Sequence, residues 1–318
     1  MKNILLTTTA LVMTAGVASA DVNVGGSAIA GLVYNSETDQ SVKLLSKVNI
    51  NFSASGETDA GLSFGFDTNH IVSNNGSVDN DDTTVYVSGA FGKLSFGAVG
   101  EADEVAGLSD IGWDGLDVDD VAEALVGDEI GDFLGGGMGH DVNYSYSAGP
   151  ISVALSTQLG TENTKSTLDT YAAGVRYSFA NGYVGLGYGD HKKAGLGSAK
   201  VVSLYGGVTM DAFKVSALYA DAGVKDAGGT KYSAKSYGVN ASYKMDAMTV
   251  SMGASRADFD VALGVPDQTA FGIGAAYDLG GGASVSGGIA RVKSVLDENV
   301  GSGKETETRA DLGVKFSF

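Results

Sequence analysis

The chain closes on 309-RADLGVKFSF-318, where Leu312, Val314, Phe316 and Phe318 alternate with Gly313, Lys315 and Ser317 up to the last residue. A period of two belongs to a β-strand with one apolar and one polar face. Chain ends in water ordinarily fray and carry polar residues. An apolar face that runs to a terminal phenylalanine therefore rests against something other than water, and what it touches decides the fold.

The same alternation recurs back through the chain. Val22, Val24, Ala28, Ala30, Leu32 and Tyr34 alternate with Asn23, Gly25, Ser27 and Gly31, with Ile29 and Val33 as exceptions; Val42, Leu44, Val48, Ile50 and Phe52 alternate with Lys43, Lys47, Asn49, Asn51 and Ser53. The pattern continues through "TYAAGVRYSF", "KVVSLYGGV", "SYGVNASY" and "AFGIGAAY", and we count sixteen such segments. They run near the ~10 residues that a tilted membrane-spanning strand needs, against ~5 to 6 for strands of water-soluble domains. Their polar faces are largely glycine, serine, threonine and asparagine, which suits a wet lumen. The connections alternate too. "SGETDAG", "GAFG", "SAGP", "FANG", "MDAF", "KMDAM" and "DLGGGA" are brief, whereas "NHIVSNNGSVDNDD", the 100–139 region, "GTENTKST", "GDHKKAGLGSAK", "DAGVKDAGGTKYSA", "RADFDVALGVPDQT" and "VKSVLDENVGSGKE" are long and polar. Short turns on one rim and long loops on the other mark an all-β, transmembrane antiparallel barrel of sixteen strands.

The remaining composition agrees. Residues 1–20 have an early Lys2, an uncharged and mostly apolar stretch and Ala18-Ser19-Ala20, so they read as a cleaved export leader, with 21–318 as one barrel domain. Beyond residue 20 no window approaches a spanning helix. There is no cysteine, proline occurs twice, and 48 glycines accompany 14 tyrosines and 12 phenylalanines. This composition suits strands and tight turns. A net charge of −18 argues against nucleic acid or anionic lipid as a partner. A secreted calcium-binding solenoid would share the glycine and aspartate, but it demands a short repeat that is not found.

Between Lys93 and Lys165 the chain has no basic residue except His140, while Glu101, Asp103, Glu104, Asp110, Asp114, Asp117, Asp119, Asp120, Glu123, Asp128, Glu129 and Asp132 crowd the 100–139 stretch. Loops of this length are usually functional. "DDVAEALVG" reads as a short helix capped by Asp119 or Asp120, with Ala122, Ala124, Leu125 and Val126 as contacts. Trp113, Ile130, Phe133 and Leu134 are candidates to pin the loop to a wall.

Leader, strands, loop asymmetry and terminal aromatic together resemble the general diffusion porins of Gram-negative outer membranes, most nearly those of alphaproteobacteria. The resemblance implies a water-filled channel for small hydrophilic solutes and ions, exported through the periplasm into the outer membrane among its lipids and lipopolysaccharide. It implies a homotrimer, with a loop near "NHIVSNNGSVDNDD" latching onto the neighbour. It also implies recognition of the Phe318 strand by the barrel assembly machinery, and a third loop, 100–139, that folds inward. Taking apolar residues as lipid-facing turns Lys43, Lys47, Lys93, Arg176 and Arg309 into the lumen, since a basic residue facing lipid costs ~2 to 4 kcal/mol at the midplane. A constriction of loop acids facing wall bases is the expectation. No cofactor is required, although clustered Asp114, Asp117, Asp119 and Asp120 are candidates for calcium. His70, His140 and His191 lack metal-ligand spacing, and no serine, histidine and acid set is evident, so an enzyme is not expected. A substrate-selective channel is the main alternative, with a barrel enzyme or an adhesive barrel behind it. At "GGIARVK" the parity is unsettled, because Arg291 and Lys293 share a side with Ile289 unless a bulge intervenes.

Overall fold

The computed structural model describes residues 21–37, 41–74, 77–104, 107–113, 115–127, 139–161, 164–165, 168–260, 266–293 and 306–318. The proposed leader, 1–20, falls outside the described residues. Among them, sixteen strands form the barrel. These are β1 (Asp21–Asn35), β2 (Val42–Glu57), β3 (Ser63–Asn74), β4 (Ser77–Gly89), β5 (Gly92–Val99), β6 (His140–Ala148), β7 (Ile151–Thr157), β8 (Leu168–Phe179), β9 (Gly182–Lys193), β10 (Gly197–Met210), β11 (Phe213–Asp226), β12 (Lys231–Met245), β13 (Met248–Phe259), β14 (Gln268–Gly280), β15 (Ala283–Lys293) and β16 (Thr306–Ser317). Each pairs antiparallel with the next, and β16 returns to β1 with Leu312 opposite Leu32. Closure leaves no edge strand, so the backbone of the wall is paired all round. The terminal phenylalanine belongs to this closure: the Phe318 N–H donates to the Gly26 carbonyl at 3.0 Å, and its carbonyl accepts from the Gly26 N–H at 2.7 Å.

Alternation becomes two surfaces. On β10, Val201, Ser203 and Tyr205 are buried while Val202 and Leu204 are half exposed. Val24, Leu44, Leu312 and Phe316 lie on the same outer surface. An apolar belt this continuous is untenable in water but is what a bilayer requires of a barrel.

Three features depart from the sequence reading. The stretch 69–82 is mostly paired strand, since β3 and β4 extend through it past register shifts at Asn69/Ile71 and Ile71/Asn74. Polar residues there still form backbone ladders, which depend on pairing rather than on side-chain hydropathy. Secondly, β14 and β15 stay in register from Thr269 opposite Lys293 to Tyr277 opposite Val285, so no bulge intervenes and Arg291 and Lys293 are on the outer face. They occupy the long-loop end of β15, where long basic side chains reach the headgroup layer. Thirdly, the lumenal wall is not polar throughout. Ala220, Ala222, Val224, Ala257, Ala290 and Val292 are buried on the inner face because a loop packs over them.

Ile273 is 47% exposed on the outer face of β14, and Asn51 is exposed on the inner face of β2. Ile273→Arg is expected to destabilise the folded barrel in vesicles by about 2 to 4 kcal/mol, and Asn51→Arg by far less. Denaturant unfolding of the two variants measures the difference, and equal effects would contradict the assigned faces.

Candidate functional site: an inward loop on a glycine-lined wall

The chain leaves β5 at Gly100 and does not rejoin the wall until β6, and the described part of this connection runs along the inside of the barrel. Its root is fixed first: the Ala102 N–H donates to Ser156 Oγ at 2.7 Å, and the Gly100 carbonyl accepts from Asn143 at 2.8 Å. The root backbone then lies flat on β8 and β9. A Cβ at Gly174 would collide with the Ala102 carbonyl oxygen, and one at Gly187 would stand 2.6 Å from the Asp103 carbonyl oxygen. Farther on, Leu108 and Ala122 sit over Gly238 of β12, where a Cβ would meet them at 2.6 and 2.7 Å. Trp113 lies across Gly31 of β1 and Gly313 of β16, its ring 2.5 and 2.8 Å from where their Cβ atoms would be. Asn240 and Ser255 donate to the Ser109 and Val118 carbonyls, and Asp311 accepts from the N–H groups of Trp113 at 3.3 Å and Gly288 at 2.9 Å.

The helix is real but short. It spans α1 (Asp120–Glu123), with Asp119 at the N-cap position and no side-chain cap bond. Val121 and Ala122 are buried within it, Leu125 and Val126 just beyond, and the helix packs on β11 to β14. Trp113 does pin the loop; Ile130, Phe133 and Leu134 lie outside the described residues.

The loop acids separate into groups. Glu104, Asp110 and Asp120 are exposed; Asp117 pairs with Arg309, which also pairs with Glu307; Glu123 accepts from the Leu108 N–H. Glu101, Asp103 and Asp119 are buried, so they do not line the water path as expected of constriction acids. Packing of the loop against the wall covers them. Asp114, Asp128, Glu129 and Asp132 lie outside the described residues. Of the bases, Lys43 and Lys47 flank Leu45, which stands opposite Gly31 where Trp113 packs, so they are level with the loop. Arg176 lies over the Tyr183 ring at 3.9 Å, two residues from Gly174 under the loop root. Lys93, next to the Gly92 turn, covers Tyr86 at 4.2 Å and is at the opposite rim. Among the described residues, Arg309 is the one expected wall base that forms an ion pair with the loop.

A profile described as Gram-negative porin matches residues 7–295. The porin of Rhodobacter capsulatus is 33% identical over 323 residues, covering 94% of this chain and 100% of the relative. This chain belongs to the Gram-negative porin family. Among solved structures, a porin refined at 1.8 Å superposes with a TM-score of 0.74 at 28% identity, covering 94% of this chain and 100% of that one. The anion-selective porin of Comamonas acidovorans, at 15% identity and a TM-score of 0.74 over 94% of this chain and 100% of that one, shares the fold. So does OmpT of Vibrio cholerae in its trimer form, at 16% identity and a TM-score of 0.72 over 94% of this chain and 99% of that one. The protein is an outer-membrane diffusion channel.

Sequence reasoning missed several residues that hold the porin's loop, above all Glu307 and Asp311. Their signal was present: Glu307, Arg309 and Asp311 alternate on the polar face of the last strand, an acid on each side of a base. Of the expected calcium set, Asp114 lies outside the described residues and the other three divide. Asp117 turns to Arg309, while Asp110, Asp119 and Asp120 bring carboxylate oxygens within 4.8 Å of one another. Burial, then the charges of Asp110, Glu123 and Asp120, push the Asp119 carboxyl up from 3.8 to about 8. A raised carboxyl favours the folded form fully below its unfolded value, and that contribution is lost as pH rises through about 8. Ionisation of Asp119 is thus expected to loosen the docked loop on the alkaline side.

Trp113 is the only tryptophan of the chain, so its fluorescence reports loop docking. In chelator-treated porin, its emission is expected to move to the red between about pH 6 and about pH 9, and Asp119→Asn to abolish that step. A pH-independent spectrum in the unaltered protein would refute the coupling.

Proposed function

We propose that the inward loop narrows the porin's water path and that charge across the gap sets its ion preference. In this reading the water-facing acids Glu104, Asp110 and Asp120 stand on one side and Lys43 and Lys47 on the other, with Arg176 beside the loop root. The observation that carries it is the loop lying across the lumenal glycines at the level of Lys43 and Lys47. Such a transverse field orients polar solutes and resists apolar ones while leaving small hydrophilic molecules to diffuse. Calcium would be held at Asp110, Asp119 and Asp120, whose clustered hard oxygens suit it and whose mutual repulsion it would relieve.

Planar-bilayer recordings under a salt gradient test this. Current is expected to arrive in ohmic steps grouped in threes. The reversal potential is expected to shift toward cation preference in Lys43→Gln/Lys47→Gln and away from it when calcium is added to chelated porin. Unchanged selectivity in both cases would count against the charged constriction.

We further propose that residues 1–20 are removed on export, that three chains assemble, and that lipopolysaccharide seats against the long-loop rim. Favouring the first, residues 1–20 have the three parts of an export leader, and Asp21 is already part of the wall, opposite Ser55. Favouring the last is an outer-face belt of ions and tyrosines. It includes Lys200 to Asp190 at 2.9 Å, Lys235 to Asp221 at 3.5 Å and Arg256 to Asp267 at 3.1 Å, with Tyr171 and Tyr237 donating to Asp190 and Asp258. Native mass spectrometry of porin extracted from outer membranes should find three chains starting at Asp21 with lipopolysaccharide retained. A longer chain, a monomer, or lipid-free protein would each reject the corresponding part.

A further inference from the structure

Beneath the loop root, four adjacent strands contribute a row of side chains: His140 on β6, Ser156 on β7, Thr170 on β8 and His191 on β9, all buried. His140 Nδ1 is 2.6 Å from Ser156 Oγ, and His191 Nδ1 is 2.8 Å from Thr170 Oγ1. With each Nδ1 held by a hydroxyl, both Nε2 atoms face Glu101. They lie 3.6 Å from its two carboxylate oxygens, and the Glu101, His140 and His191 side chains are fully enclosed. His140 Nε2 also reaches Thr170 Oγ1 at 2.8 Å, whereas His191 Nε2 is buried with no hydrogen-bond partner. A Cβ at Gly189 would run into His191 Nε2 and stand 2.6 Å from Asp103 Oδ2, so a second carboxylate borders the same space.

We propose that Glu101, His140 and His191 bind a divalent transition cation, zinc foremost, which fastens the root of the inward loop to the barrel wall. Ligand atoms of a tetrahedral zinc site stand about 3.3 Å apart for bonds of about 2.0 Å; each imidazole nitrogen here is 3.6 Å from one carboxylate oxygen, and one ligand atom from each of the three residues lies within 4.8 Å of the others, so small side-chain shifts close the set on an ion. Two imidazole nitrogens select borderline-soft ions over calcium or magnesium, which prefer oxygen alone. Hydroxyls on the Nδ1 atoms are the outer partners that orient imidazole ligands. Full burial makes this a structural clip rather than a reactive centre. It goes beyond the charged constriction, since it would hold the loop whatever ions the gap prefers.

The test uses the whole protein folded in detergent, stripped with chelator, then incubated with zinc in excess calcium and magnesium, which occupy oxygen-only sites. After desalting, elemental mass spectrometry is expected to count one zinc per chain, and cobalt in its place to give the visible absorption of a tetrahedral site. His191→Ala should lose this binding, and Thr170→Ala should weaken it by roughly 10-fold to 100-fold. Uptake far below one equivalent by protein that migrates as a folded barrel would overturn the proposal, as would equal uptake by His191→Ala. If His191→Ala does not fold, Glu101→Gln, which keeps the shape and removes the charge, puts the same question.

Discussion

A loop backbone can lie flat on a barrel wall only where the wall has no side chains, and the architecture of this porin depends on that condition. Strands of a closed barrel send every second side chain inward, so a connection entering the lumen would ordinarily ride several ångströms above the ladder. At Gly174, Gly187, Gly238, Gly31 and Gly313 the wall is cut away, and the root carbonyls, Leu108, Ala122 and Trp113 fill the space. The contact is dense enough to bury Ile111, Leu116 and Val118, which gives the barrel a conventional apolar core on one side of its lumen.

This packing divides the interior into a dry sector and a wet one. Over β10 to β15 the wall offers alanine and valine to the loop; over β2 to β5 it keeps mainly asparagine, serine, threonine and lysine, with Leu45 an exception under the loop. The charges follow the same division. Acids on the loop's underside are enclosed and must be protonated, hydrogen-bonded or bound to a cation, whereas Glu104, Asp110 and Asp120 stay in contact with water. Arg309 joins the two sectors, since it pairs with Asp117 of the loop and Glu307 of its own strand. Arg309 is partly enclosed and Glu307 buried, so removing either leaves a charge without its partner, and the pair with Asp117 ties the loop to the closing strand.

Much of the site was legible, and the gaps have specific causes. Acid crowding marked the loop, and parity turned Lys43, Lys47 and Arg176 inward, because both are one-dimensional patterns. Parity does not distinguish a wall residue facing water from one facing a loop, so Ala222 and Val292 were not recognised as core. Nor does spacing show that His140 and His191, fifty-one positions apart in sequence, meet across four strands, since that proximity exists only once β6 to β9 have paired in register. The aspartates near α1 were recognised as a cluster, but a turn at Asp117, which takes a positive φ of 55°, sends that carboxylate to Arg309 instead.

The sequence by itself determined the alternation, hence sixteen strands with a lipid face, and the short and long connections that order them. These are local consequences of a two-residue period, and every strand carries them independently. The tertiary structure alone decided which inner positions stay wet, which carboxylates are enclosed, and which distant side chains share a site. Those outcomes depend on where the loop settles against the wall, and that is set by contacts among residues far apart in the chain, not by any run within it.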